Sequence, residues 1–151
     1  MDIQHSKHEP TRAVVIREKV PLSDLSDFFG RAFGQTAAAL GQSGLAPSGP
    51  PVAIYYGEPD TAVDVAAGFP VASPVEPPAG TQLAEIPGGD AVETVYTGSY
   101  DTIGAAYDLL TQYLAQEHLQ RRELMWEEYL AGPDSESGPD AARTRIVFPL
   151  R

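Results

Sequence analysis

Short apolar stretches separated by turns of glycine and proline make up most of the chain. Alternation of apolar and polar residues is typical of a strand, and recurrence of apolar residues every three to four positions is typical of a helix. These patterns predict strands at 12–20, 52–56, 61–67, 81–86, 91–97, 123–130 and 143–150, and helices at 23–42 and 102–118.

Each predicted helix has a single apolar stripe, which is the pattern of a helix that packs with one face against a sheet. The stripe of the first helix consists of Leu25, Phe29, Ala32, Phe33 and Leu40. The stripe of the second helix consists of Ile103, Tyr107, Leu110 and Leu114. Each stripe therefore indicates one buried helix face.

The order strand, helix, strand, strand occurs twice along the chain, with a proline-rich connector at 72–80 between the two occurrences. Residues 1–10 are polar and are predicted to be a disordered lead, so that 11–151 form one domain with half-modules at about 11–73 and 81–151. We predict an α+β fold with pseudo-twofold symmetry, in which one antiparallel sheet carries both helices on one face. The other face would then hold a ligand cleft between the halves.

The strand at 123–130 contains the residue pattern that points most clearly to a site. Side chains alternate between the two faces of a strand, so Met125, Glu127 and Tyr129 share one face. The opposite face carries Leu124, Trp126 and Glu128, and Trp126 is predicted to pack against the helices. A carboxylate enclosed beside a Met and a Tyr needs a partner or a function.

Composition narrows the function classes. The chain has 151 residues, of which 42% are hydrophobic and 21% charged, as in an ordinary globular domain. Its formal net charge of -11 argues against nucleic-acid binding, which requires a surplus of Lys and Arg. The same charge is compatible with cationic ligands, although it also serves solubility alone.

Neither a metal nor a cofactor is predicted. The chain contains no cysteine, and the histidines His5, His8 and His118 are dispersed without a third ligand at metal-binding spacing. The first ten residues lack the apolar stretch of a signal peptide, and no apolar run reaches membrane-spanning length. We therefore predict a cytoplasmic protein that does not bind membranes.

Five segments in this order resemble the GyrI-like family, the small-molecule-binding domain that also serves as the effector-binding domain of multidrug-sensing bacterial transcription regulators. They are GPPVAIYYG at 49–57, DV at 64–65 with GFPV at 68–71, YTGSYD at 96–101, WEEYL at 126–130 and TRIVFPL at 144–150. The resemblance extends from about Arg12 to Leu150. It implies paired strand–helix–strand–strand modules around a cleft that binds lipophilic, often cationic or planar compounds.

The resemblance also implies site residues. The glutamate of the aromatic-Glu-x-Tyr motif is Glu127, which would be the polar anchor at the floor of the cleft, and the motif tyrosine is Tyr129. Further ligand-binding candidates are Met125, Tyr55, Tyr56, Phe69, Tyr96 and Tyr100. The chain departs from the family pattern at Arg145, where many members carry an acidic residue, so a cation facing the cleft would disfavour cationic ligands.

Three functions remain open from the sequence. The first is binding of an amphipathic, aromatic and cationic small molecule for multidrug-type sensing or sequestration. The second is hydrolysis of reactive cyclopropane-bearing aromatic compounds, with Glu127 activating water and Tyr129 orienting the substrate. The third is an inhibitory protein-interaction module. In each case we expect a monomer or a homodimer without direct nucleic-acid binding.

Overall fold

In a computed structural model, the chain is an α+β protein of antiparallel strands and helices. The structure describes residues 2–58, 60–72, 75–131 and 142–151. The elements in chain order are β1 (Gln4–His8), β2 (Thr11–Pro21), α1 (Leu25–Gln42), β3 (Val52–Tyr56), β4 (Ala62–Val71), β5 (Gln82–Ile86), β6 (Gly89–Thr97), α2 (Gly104–Gln116), β7 (Leu124–Ala131) and β8 (Arg143–Pro149). They form two compact units, the first from residues 10–87 and the second from residues 1–9 and 88–151.

The first unit is an antiparallel sheet in the order β3-β4-β2-β5, with α1 packed on it. Helix α1 buries Phe28, Ala32, Thr36 and Leu40, which lie four residues apart and therefore on one side. Three stripe residues predicted from the sequence, Leu25, Phe29 and Phe33, are half-buried beside this row. The helix is thus rotated slightly from the predicted orientation, so that Phe28 fills the core.

The second unit is an antiparallel sheet in the order β1-β6-β8-β7, with α2 burying Ala106, Leu110 and Leu114. Its internal order matches that of the first unit, because β7-β8-β6 corresponds to β3-β4-β2. The predicted repeat of strand, helix, strand, strand is therefore confirmed within each unit. Neither described helix has the length and apolar character needed to cross a membrane.

The amino-terminal segment differs from its prediction. Residues Gln4–His8 are not a disordered lead but form β1, which pairs antiparallel with β6 from Gly89 to Glu93. The segment has no apolar alternation, and tertiary contacts stabilise it instead. His5 hydrogen-bonds to the Tyr113 hydroxyl at 2.7 Å, and His8 lies 3.3 Å from a Glu93 carboxylate oxygen.

The boundary between the halves also differs from the prediction. Strand β5 was expected to open the second half-module at residue 81, but it pairs with β2 and belongs to the first unit. Conversely, β1 at the start of the chain belongs to the second unit. The chain therefore passes from one unit to the other at residues 9–10 and again at 87–88. The fourth strand of the first unit, β5, follows that unit's strand–helix–strand–strand repeat, and the fourth strand of the second unit, β1, lies at the start of the chain.

Candidate functional site

Glu127 lies near the middle of β7, on the face of the second unit's sheet that α2 covers. The hydroxyl of Tyr107, which projects from α2, donates to Glu127 Oε2, and the hydroxyl of Tyr129 donates to Oε1 at 2.6 Å. Glu127 is only 6% exposed. The structure thus presents a buried carboxylate whose two oxygens each accept a hydrogen bond from a tyrosine.

Burial raises the pKa of the Glu127 carboxyl above its ordinary value of 4.5, while the hydrogen bonds from Tyr107 and Tyr129 act in the opposite direction. Burial prevails because a low-dielectric surrounding disfavours the charged form. No cation among the described residues contributes to this balance. Among the described residues, the Glu127 carboxyl therefore has two hydrogen-bond donors and no ion-pair partner.

The raised pKa makes the stability of the ligand-free protein depend on pH. Because the folded state holds the Glu127 proton more tightly than the unfolded chain, this contribution is fully present below pH 4.5 and is lost as pH rises through the folded-state pKa. We expect Glu127→Gln to raise the melting temperature relative to the parent, and by more at pH 8 than at pH 5. Differential scanning calorimetry measures this, and an equal difference at both pH values would contradict it.

Aromatic and sulfur-containing side chains surround the carboxylate. The Tyr107 hydroxyl lies 4.0 Å from Met125 Sδ, and the Tyr107 ring is tilted against Phe148 with centroids 6.1 Å apart. The Tyr100 ring meets Tyr129 edge to face at 6.1 Å. Tyr100 is 41% exposed, so it lies between Tyr129 and solvent. The Glu127 carboxyl thus lies among aromatic and sulfur-containing side chains.

Tyr107 is a site residue that the sequence analysis missed. Its position on the apolar stripe of α2 was predicted, but only as a packing residue. The feature of the sequence that could have identified Tyr107 is its hydroxyl, because a tyrosine directed toward a core requires a hydrogen-bond partner there. With the helix stripe facing the strand that carries Glu127, that partner is the carboxylate.

Of the predicted site residues, Met125, Tyr129 and Tyr100 lie with Glu127 in the second unit, whereas Tyr96 has another neighbour. The Tyr96 hydroxyl hydrogen-bonds to Thr102 Oγ1. Gly98, at φ +148°, leaves room for this, since a Cβ there would meet the Tyr96 hydroxyl oxygen at 2.8 Å. Tyr96 therefore fixes the turn that precedes α2.

The three aromatic candidates from the first half lie in the first unit. Tyr55 and Phe69 pack on the side of α1, where Tyr55 contacts Phe29 and Phe69 contacts Phe33 through ring edges. The ring of Tyr56 lies 3.7 Å below the Arg17 guanidinium carbon. Their role in ligand binding stays a prediction.

Helix α2 covers the sheet face that carries Glu127, whereas the prediction placed the helices on the opposite face. Tyr107 of α2 contacts Glu127, so the carboxylate lies on the helix-bearing face rather than on the opposite one. Trp126, predicted to pack against a helix, lies on the other face, where its indole N–H donates to Glu128 Oε2 at 3.1 Å. Strand alternation separated these residues correctly but could not tell which face α2 covers.

Arg145 lies on the face opposite Glu127, where it joins two carboxylates. Its Nε lies 3.2 Å from Glu93 Oε2, and its Nη1 donates to Glu128 Oε1 at 3.0 Å. The cation that departs from the family pattern therefore does not face the Glu127 carboxylate. It neutralises acidic residues on the other side of the sheet.

Removing this cation should destabilise the fold without affecting the site. Arg145→Met keeps much of the apolar stem but leaves Glu93 and Glu128 without their shared partner. Since the Arg145 side chain is 34% exposed and partly screened by solvent, we expect a loss of about 1 to 2 kcal/mol in the free energy of unfolding. Urea denaturation measures it, and unchanged stability would contradict the structural role of these ion pairs.

Metal binding finds no support in the described residues, where no three His, Asp or Glu side chains are grouped as ligands. His5 and His8 instead contact Tyr113 and Glu93. His118 follows α2 with a positive φ of 55°.

The repeated α+β units are consistent with one family of small-molecule-binding domains. A model of the GyrI-like small molecule binding domain matches residues 1–151. The chain belongs to the GyrI-like small molecule binding domain family, as its sequence motifs predicted. A comparison with curated proteins finds no match.

Solved structures share the fold. The crystal structure of the EcmrR C-terminal domain superposes with a TM-score of 0.82 at 19% identity, covering 99% of this chain and 97% of that one. In the EcmrR–DNA complex the TM-score is 0.84 at 19% identity, and the match covers 99% of this chain. This chain spans 57% of the EcmrR chain in that complex.

Two further solved structures share the fold, one of a protein with a bound cation and one of a hydrolase. SAV2435, solved bound to tetraphenylphosphonium, superposes with a TM-score of 0.75 at 12% identity, covering 100% of this chain and 94% of that one. A hydrolase from Listeria innocua superposes with a TM-score of 0.68 at 11% identity, covering 99% and 92%. At such identities the likeness establishes the fold.

Proposed function

We propose that the protein binds a lipophilic aromatic cation with Glu127 as its polar anchor, in multidrug-type sensing or sequestration. The observation that carries the proposal is the buried Glu127 carboxylate, which has two tyrosine donors and no ion-pair partner among the described residues. A buried charge without a counter-charge is costly. An organic cation would supply that counter-charge only when the ligand is bound.

The surroundings of Glu127 suit such a ligand. The electron-rich faces of Tyr107 and Tyr129 can each attract a cation by about 0.5–2 kcal/mol. The Phe148 ring beside Tyr107 already carries the Arg121 guanidinium, whose carbon lies 4.2 Å from the ring centroid. The apolar surface of these rings favours a lipophilic body. SAV2435, a protein of the same fold, was solved with tetraphenylphosphonium, a cation of this chemical class.

Access would occur past the half-exposed Tyr100. Because Glu127 is nearly inaccessible, a ligand that touches the carboxylate must displace a tyrosine side chain that covers it. Tyr100 packs on Tyr129, and Tyr129 contacts Glu127 directly. Rotation of these two rings is the smallest rearrangement that would open the site.

Calorimetric titration with a matched pair of compounds tests the proposal. Methyltriphenylphosphonium carries the charge, and triphenylphosphine oxide has nearly the same shape without it. We expect saturable binding of the cation and binding of the neutral compound weaker by about tenfold or more. Equal affinity for both compounds would argue against an anionic anchor, and lack of binding would argue against the site.

A hydrolase is the second candidate, favoured by the raised pKa of Glu127, which suits a general base. A hydrolase from Listeria innocua also shares the fold. Incubation with cyclopropane-bearing aromatic electrophiles, followed by mass spectrometry, separates the two functions. A product that has gained one water, formed by the parent and not by Glu127→Gln, would establish the hydrolase, whereas recovery of intact compound with saturable binding would favour the binding protein.

A further inference from the structure

Thr144 is a second polar residue on the Glu127 face, and its hydroxyl has no hydrogen-bond partner in the part of the chain that the structure describes. Thr144 in β8 pairs directly with Tyr129 in β7, and Ile146 pairs with Glu127. Opposed residues in an antiparallel pair point to the same side of the sheet, with Cβ atoms about 5 Å apart. The Thr144 side chain therefore lies beside Tyr129, on the side where α2 and the carboxylate lie.

The Thr144 hydroxyl is fully buried and, within the described residues, is the buried side-chain polar atom without a hydrogen bond. The other buried threonines donate to backbone carbonyls, Thr36 to that of Ala32 at 2.8 Å and Thr94 to that of Asp2 at 2.9 Å. A buried hydroxyl without a hydrogen bond destabilises the fold, because its desolvation is not compensated. Thr144 thus carries a cost that Thr36 and Thr94 avoid.

The hydroxyls nearest to Thr144 in the sheet are already engaged. Tyr129 donates to Glu127, and Tyr96, the partner of Thr144 on β6, bonds to Thr102. Backbone groups of the central strand β8 are taken up in pairing with β6 and β7. A bound molecule can supply the partner that the Thr144 hydroxyl lacks among the described residues.

We propose that Thr144 is a specificity-determining residue of the Glu127 site, whose hydroxyl hydrogen-bonds to an oxygen carried by the bound cation a few ångströms from its charge. This rests on the proposed function. Displacement of the Tyr129 ring, which ligand access to Glu127 requires, would also uncover Thr144 across the strand pair. The site would then prefer oxygen-bearing lipophilic cations over cations that are purely hydrocarbon around the charge.

A pair of cations with equal heavy-atom counts tests this assignment. The 2-hydroxyethyltriphenylphosphonium ion carries a hydroxyl where propyltriphenylphosphonium carries a methyl group. We expect the parent protein to bind the hydroxyethyl compound about three- to tenfold more tightly, and Thr144→Val to abolish this preference, since one neutral hydrogen bond is lost. Thr144→Ser should retain it, because the hydroxyl remains.

The stability of the Thr144→Val protein distinguishes a ligand-binding threonine from a purely structural one. Because Thr144→Val removes an unpaired buried hydroxyl and keeps the shape, we expect its ligand-free melting temperature to equal or exceed that of the parent. A clear fall would show that the hydroxyl has a structural partner and would overturn the assignment. So would a loss of affinity for both cations alike.

Glu127→Gln distinguishes failure of this inference from failure of the proposed function. That variant should weaken both cations together, whereas Thr144→Val should weaken only the hydroxyethyl compound. If Glu127→Gln has its effect but the parent shows no preference within the pair, Thr144 is not a specificity residue and the binding function stands. If neither cation binds the parent, both proposals fall.

Discussion

Glu127→Gln should weaken the binding of a lipophilic cation by about 30-fold or more, since loss of one member of a buried charge pair costs about 2–5 kcal/mol. Glutamine keeps the shape of the side chain and its ability to hydrogen-bond with Tyr107 and Tyr129. The change therefore removes the negative charge with little disturbance of the packing. Calorimetric titration of parent and variant with methyltriphenylphosphonium measures the effect.

Glu128→Gln is the matched control. Glu128 follows Glu127 in sequence, but it lies on the opposite face, where it accepts hydrogen bonds from Trp126 and Arg145. The same chemical change there should leave cation affinity within about twofold of the parent, as expected for a site outside the ligand's contacts. Equal weakening by both variants would show that overall negative charge, and not the buried carboxylate, attracts the ligand.

The pH dependence of binding gives the same test without a substitution. Cation binding favours the charged form of Glu127. In the free protein, burial raises the pKa of this carboxyl. Affinity of the parent should therefore rise with pH until the carboxylate is fully ionised and then level off. In Glu127→Gln this rise should be absent.

Gly68→Ala should destabilise the protein by about 3 kcal/mol or more, because the added methyl group has no space. Gly68 lies in β4 between Val15 of β2 and Val52 of β3. A Cβ at this position would overlap the carbonyl oxygen of Val14 and lie 2.8 Å from the Val15 Cα. These are backbone atoms of a paired strand, so relief requires separation of β2 from β4.

Gly30→Ala is the control for that prediction. Gly30 lies on the exposed side of α1, where an added Cβ has nothing within 4 Å. Alanine is the better helix former, so this variant should gain about 0.5–1 kcal/mol. Urea denaturation followed by circular dichroism compares the variants, and a Gly68→Ala protein as stable as the parent would contradict the strand packing.

The sequence predicted the repeated elements well, because their signals are local. Alternation identified β7 and separated Glu127 from Trp126 and Glu128, as the structure confirms. The strand β1 was missed because its five residues are polar, and it forms through contacts of His5 and His8 with distant residues. Such contacts leave no periodic pattern in the sequence.

The site was predictable only in part, for a related reason. Glu127 and Tyr129 share a strand, so their common face follows from the backbone alone. Tyr107 lies 20 residues away on α2, and its contact with Glu127 depends on how the helix packs on the sheet. Likewise, the unpaired hydroxyl of Thr144 depends on which groups surround it in three dimensions.

A crystal structure of the protein with methyltriphenylphosphonium is the most direct test of the central claim. We expect the phosphonium centre beside the Glu127 carboxylate and within about 6 Å of the centroid of a neighbouring tyrosine ring. Tyr100 and Tyr129 should be rotated away from their ligand-free positions. A cation bound elsewhere, with the hydrogen bonds of Tyr107 and Tyr129 to Glu127 intact and the carboxylate still covered, would contradict it.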